Sequence, residues 1–283
     1  MARGFITGSA LLDAVVGVFM FWLATILAGV ALTLPFPVNL VVTIGCACGV
    51  VWLHLQRTRP GLPTRAAAAC RLRPLHPTVA VYLALMLAMF AVGIGLIGLM
   101  ISYGVRTTLP FDPVRGTVLQ PMMRSIGGQI ALGGYAIVAA PLIEELAFRG
   151  WVQRAIERRI GKVAGVTCAA ALFAALHVWY GQIVLVLVPL VLGILWGTSV
   201  IRQRTLYAGV LLHGTWNAVM FSAAVSEAMT RRNWLVDRLS VISSRATFAV
   251  LLIVGLIMWT AILAGSRQRP RRVRIEPSYG ETG

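Results

Sequence analysis

Pro141-Leu142-Ile143-Glu144-Glu145-Leu146-Ala147-Phe148-Arg149 closes a long apolar run that begins at Ile126. Two adjacent carboxylates and an arginine stand in a segment otherwise suited to lipid. Ionisable side chains inside a bilayer are costly, so they mark function and call for a partner. On a helix, Glu145 and Arg149 are i,i+4 neighbours and can pair. Glu144 lies about 100° further round and is turned toward something else. Only nine acids are spread over 283 residues, so a tandem pair at this place stands out.

The composition around this stretch is that of a polytopic membrane protein. Hydrophobic residues make up 58% of the chain and charged residues only 12%, and the mean hydropathy is +0.83. Soluble domains carry about 25% charged residues. Apolar runs long enough to cross a bilayer recur along the chain. The expected fold is all-α, with about eight transmembrane helices near 10–33, 38–55, 78–103, from Ser125 onward, 163–180, 182–200, 205–225 and 246–264. The fourth helix is expected to continue past Arg149 to Ile160 and become amphipathic, with Gly161 turning the chain into the fifth. The chain divides into three units: residues 1–124 with three spans, 125–225 as a core, and 226–283 with the last span and a basic tail.

The net charge of +16 comes from 25 Lys and Arg against nine acids. In a soluble chain that excess would suggest nucleic acid. Here the cations fall between the spans, so they report topology instead. The 56–77 loop holds Arg57, Arg59, Arg65, Arg71 and Arg73 with no acid, and the 150–162 turn, Arg202, Arg204 and the tail are likewise basic. All these segments fall on one side of an eight-span chain, which predicts both termini in the cytoplasm. The basic loops and tail suit anionic lipid, and no nucleic-acid partner is expected. Cys46, Cys48, Cys70 and Cys168 form neither a disulfide framework nor a metal loop, and read as structural.

Three spans carry polar residues that apolar packing does not need. Beside Glu144, Glu145 and Arg149 stand Phe173 and His177 in the fifth span, and His213 and Asn217 in the seventh. Glu144 lies 17 residues before the Gly161 turn and His177 lies 16 after it. At ~1.5 Å per residue both sit about 24–26 Å along their arms, level with each other. His213 and Asn217 share one helix face. This convergence suits hydrolysis of a peptide bond by an activated water. Glu144 with His177 can deprotonate the water, and His213 with Asn217 can donate to the oxyanion. Alternatively, Glu144, His177 and His213 could ligate a divalent metal such as zinc, with water in the fourth place. Arg149 would orient Glu145 and offset its charge.

Glu-Glu-x-x-x-Arg at 144–149, Phe-x-x-x-His at 173–177 and His-x-x-x-Asn at 213–217 occur in that order, each in a separate span. The ordered trio resembles the CPBP (Abi) family of CAAX-processing and bacteriocin-processing intramembrane proteases, over about residues 125–225. The resemblance implies an eight-span endopeptidase similar to the type II CAAX prenyl endopeptidase. It implies that Glu144 and His177 activate water and that His213 and Asn217 stabilise the oxyanion, with Glu145 and Arg149 in support. The substrate class it implies is a membrane-associated or C-terminal CAAX-like peptide or protein, which can carry a lipid. The high Arg and Ala content points to a bacterial plasma membrane, with the site opening to the cytoplasm. The alternative is a non-catalytic member, a scaffold or bacteriocin self-immunity protein binding a partner through the same cavity. A transporter using Glu144 as a proton relay would call for an internal repeat, and the sequence shows none.

Overall fold

The computed structural model describes residues 79–105, 119–178, 183–242 and 244–265, with seven further positions between 18 and 45. The first two predicted spans, the basic 56–77 loop and the tail 266–283 lie outside the described residues. Every described element is helical: α1 Val79–Ser102, α2 Leu119–Met123, α3 Ile126–Ile160, α4 Lys162–Ala175, α5 Val184–Gln203, α6 Leu206–Thr230, α7 Trp234–Val241 and α8 Arg245–Gly265. Five of them, α1, α3, α5, α6 and α8, are long and apolar enough to cross a membrane. The chain is therefore an integral membrane protein of the all-α class.

Close approach of helices rests on small residues, as expected where lipid supplies no hydrophobic force between helices. Helix α8 lies against α1. A side chain at Gly95 would meet Leu252 N at 2.7 Å and Phe248 O at 2.8 Å, and one at Gly255 would meet Ala88 O at 2.8 Å. Phe248 and Trp259 of α8 are buried in that seam. Trp259 Nε1 donates to Thr198 Oγ1 of α5 at 3.2 Å, and Trp196 Nε1 of α5 donates to Met89 Sδ of α1 at 3.3 Å. These contacts gather α1, α5 and α8 around one core, whose other wall is α3, α4 and α6.

Helix α3 runs through to Ile160 as expected, and Gly161, at φ 96°, makes the turn into α4. A positive φ is open to glycine without the steric cost that Cβ imposes. Two wide turns interrupt α3, at Gly134–Ala139 and Leu146–Val152. Across them Ala140 N–H bonds to Tyr135 O and Gln153 N–H to Phe148 O, five residues back instead of four. Such π turns commonly stand at functional sites. These two bracket Glu144 and Glu145. Pro141 lies just beyond the first, where its missing N–H and its ring would strain a regular α-helix.

Helix α4 departs from the expected span of 163–180 by stopping at Ala175. The reason is local. His177 N–H bonds to Ala174 O at 2.9 Å, a tighter turn than the α-helix. The carbonyl it gives up, Phe173 O, is taken by His177 Nδ1 at 2.9 Å. The side chain thus replaces the backbone donor and ends the helix.

Candidate active site

Each predicted carboxylate has a separate environment. Glu145 is fully buried, and its Oε1 lies 2.9 Å from Arg149 Nη1, the i,i+4 pair expected from the spacing. Arg149 is itself buried, donates from Nη2 to Gly193 O at 3.2 Å, and spreads its guanidinium over Phe173 and Trp196, 4.9 and 5.5 Å from the ring centroids. Cation–π contact of this kind is strongest where water is excluded. Glu144 points away from this pair and keeps 16% of its side chain exposed.

His213 joins the two acids. Its Nδ1 lies 3.2 Å from Glu145 Oε1 and its Nε2 lies 3.4 Å from Glu144 Oε2. A carboxylate only accepts, so a proton lies between Nε2 and Oε2 when that contact is a hydrogen bond. The imidazole is held in plane by Trp196, stacked at 4.0 Å and 16°, and by the edge of Phe173 at 5.8 Å. Phe173 also contacts the His177 ring at 4.8 Å, so one buried ring sets the positions of both histidines. Because a carbonyl cannot donate, His177 Nδ1 carries the hydrogen in its bond to Phe173 O, and any proton chemistry falls to Nε2.

Asn217 is placed by the first wide turn of α3. Its Nδ2 donates to Ala136 O at 2.9 Å. Continued one residue further, the i→i−5 pattern of that turn would bring the N–H of residue 141 to Ala136 O, but residue 141 is a proline. The Asn217 amide stands in for the missing backbone donor, and its second N–H remains for another acceptor. Gly214, on the same helix, lets α6 close on this turn: a Cβ there would sit 2.6 Å from Ile137 O.

Sequence reasoning missed several residues that build the site. Gly193 and Gly197 form a register with Arg149 and Gln153. Gln153 Nε2 donates to Gly197 O at 3.3 Å and to Glu157 Oε1 at 2.7 Å, repeating one turn on what Arg149 does at Gly193. The Gly-x-x-x-Gly spacing carried this signal, though in a form that suits any helix contact. Trp196 and Gly209 had none. Gly209 abuts Glu145 Oε2, where any Cβ would clash. Gly209→Ala is expected to destabilise the protein by about 1–3 kcal/mol by overpacking, read as a lower unfolding temperature in detergent.

His213 holds Nδ1 on Glu145 and turns Nε2 to Glu144, and His177 holds Nδ1 on a backbone carbonyl. The Nε2 atoms and the Glu144 carboxylate are thus the atoms that would hold a divalent metal, were one bound, and it would polarise the attacking water. Among the described residues no three His, Cys, Asp or Glu side chains come together as a metal-binding group.

The described helices thus enclose a buried cluster of two acids, a histidine and an arginine. Residues 126–219, about a third of the chain, match the family model described as Type II CAAX prenyl endopeptidase Rce1-like. The segment spans every residue of the cluster, is consistent with the CPBP (Abi) family and supports endopeptidase chemistry in general. No curated protein and no solved structure matches the chain.

Proposed function

We propose that this protein is an intramembrane endopeptidase in which Glu144 activates water against the peptide bond of a membrane-associated or CAAX-like substrate. The observation that carries the reading is the division of labour between the two acids. Glu145 is sealed against Arg149 and His213, whereas Glu144 shares His213 yet keeps an exposed edge. Glu144 takes one proton from the water as the water oxygen bonds to the carbonyl carbon. His177, through Nε2, helps hold that water. The second N–H of Asn217 and the Nε2–H of His213 donate to the oxyanion. The proton on Glu144 then passes to the amide nitrogen, the C–N bond breaks, and a carboxylate and an amine leave.

The wider setting is part of the same reading. Eight spans with both termini in the cytoplasm, in a bacterial plasma membrane, put the site cavity on the cytoplasmic side. The Arg-rich loops support that orientation. The substrate is a peptide or protein chain end, with or without a lipid. No observation favours the scaffold or self-immunity alternative.

The test is proteolysis of lipidated and unlipidated CAAX-type peptides by purified protein, with and without a zinc chelator. Cleavage that survives the chelator is the expected result. Cleavage lost to chelator and restored by zinc would overturn the metal-free step, and a folded protein that cleaves no peptide would overturn the proteolytic reading.

A further inference from the structure

A cavity of about 620 Å³ opens between the start of α4 and the end of α5, away from the acid–histidine cluster. Three cations line it, Lys162, Arg202 and Arg204, and no acid does. Its remaining wall is largely apolar, with Val163, Val166, Ile194 and Ile201. On α5 the cavity takes Ile194, Thr198 and Ile201, whereas the neighbouring Gly193 and Gly197 meet Arg149 and Gln153 of α3 and Ala170 and Val166 of α4. The two basic ends come from two different turns of the chain, α3–α4 and α5–α6, so they lie at one membrane surface.

We propose that this cavity is a binding site for one anionic phospholipid. The headgroup phosphate is held by Lys162, Arg202 and Arg204, and an acyl chain runs down over the four aliphatic residues. Three features combine to favour this occupant. The charge is of one sign and lies at headgroup depth, where basic pockets between helices select anionic lipid. The first turn of the 14-residue helix α4 lines the cavity and has no side-chain cap, so its N–H groups and the positive helix end add to the attraction for phosphate. The same cavity is lined by Val163, Val166, Ile194 and Ile201, apolar surface that a free inorganic ion would leave unused. The site does not depend on the proteolytic reading.

The test is native mass spectrometry of the full chain in mild detergent. The probes are phosphatidylglycerol, phosphatidylcholine of the same chains, dihexanoyl phosphatidylglycerol and inorganic phosphate. Wild type is expected to retain one long-chain phosphatidylglycerol, at least about tenfold more strongly than phosphatidylcholine. The triple variant Lys162→Gln/Arg202→Gln/Arg204→Gln is expected to lose that preference. The double variant Arg231→Gln/Arg238→Gln, at exposed cations near the α6–α7 junction, is expected to keep it. Should the triple variant fail to fold, the single Arg202→Glu at an exposed position carries the same expectation. Equal loss in the Arg231/Arg238 variant would overturn the site in favour of diffuse charge. Equal retention of phosphatidylcholine, equal binding of the dihexanoyl lipid, or displacement by inorganic phosphate would overturn it as a lipid site.

Discussion

Glu144→Gln is expected to lower peptide cleavage by about 10²–10⁴-fold, the range for removing a general base, while the protein unfolds near the wild-type temperature. The amide keeps the volume of the carboxyl group, so the packing around it changes little. It also keeps one oxygen that can accept from His213 Nε2, 3.4 Å from the present Oε2. What it loses is the ability to take a proton from water. Glu145→Gln makes the opposite forecast. That side chain is fully buried between Arg149 and His213, so its substitution acts first on folding and only through His213 on rate. Paired assays of cleavage and thermal unfolding on the two variants separate these outcomes. Activity retained in Glu144→Gln, or a stability loss there as large as in Glu145→Gln, would make Glu144 a structural charge and remove the base from the mechanism.

How far the sequence foretold this site depends on which residue is considered. The Glu145–Arg149 pair was legible because helical spacing alone brings i and i+4 together. The α3–α4 turn at Gly161 was legible because only glycine adopts its φ without cost. The meeting of Glu144 with the histidines was legible as a matter of depth, since straight helices of known rise place residues level with one another. Depth does not fix azimuth, however. Sequence reasoning brought Glu144 level with both His177 and His213 without saying which it touches, and the structure shows its contact with His213. The two wide turns of α3 explain part of the gap, because each adds a residue to a turn and rotates the helix beyond it. Pro141 hinted at a break but not at its form. The end of α4 at Ala175 was likewise hidden, because it depends on one side chain, His177, capturing a carbonyl that helix propensity assigns to the backbone.

Arg149→Met is expected to destabilise the protein by about 3–5 kcal/mol, the cost of stranding one member of a buried ion pair. Arg149 touches Glu145, the Gly193 carbonyl and two aromatic faces at once. Methionine keeps part of the aliphatic contact but leaves Glu145 with His213 as its remaining polar neighbour. Glu145 Oε2 already has no hydrogen-bond partner among the described residues, so the cluster has little reserve to absorb the loss. The double variant Glu145→Gln/Arg149→Met removes the stranded charge as well. It is expected to be more stable than the sum of the two single losses predicts, because residues in one ion-pair network are coupled. Thermal unfolding of the four proteins in one detergent gives the coupling directly. Additive losses would mean that Arg149 stabilises the fold through Phe173, Trp196 and Gly193 alone. A strong coupling would instead show that Arg149 is retained to hold Glu145 in place beside His213. In that case the single Arg149→Met variant should also lose cleavage, through His213, by more than its unfolded fraction explains.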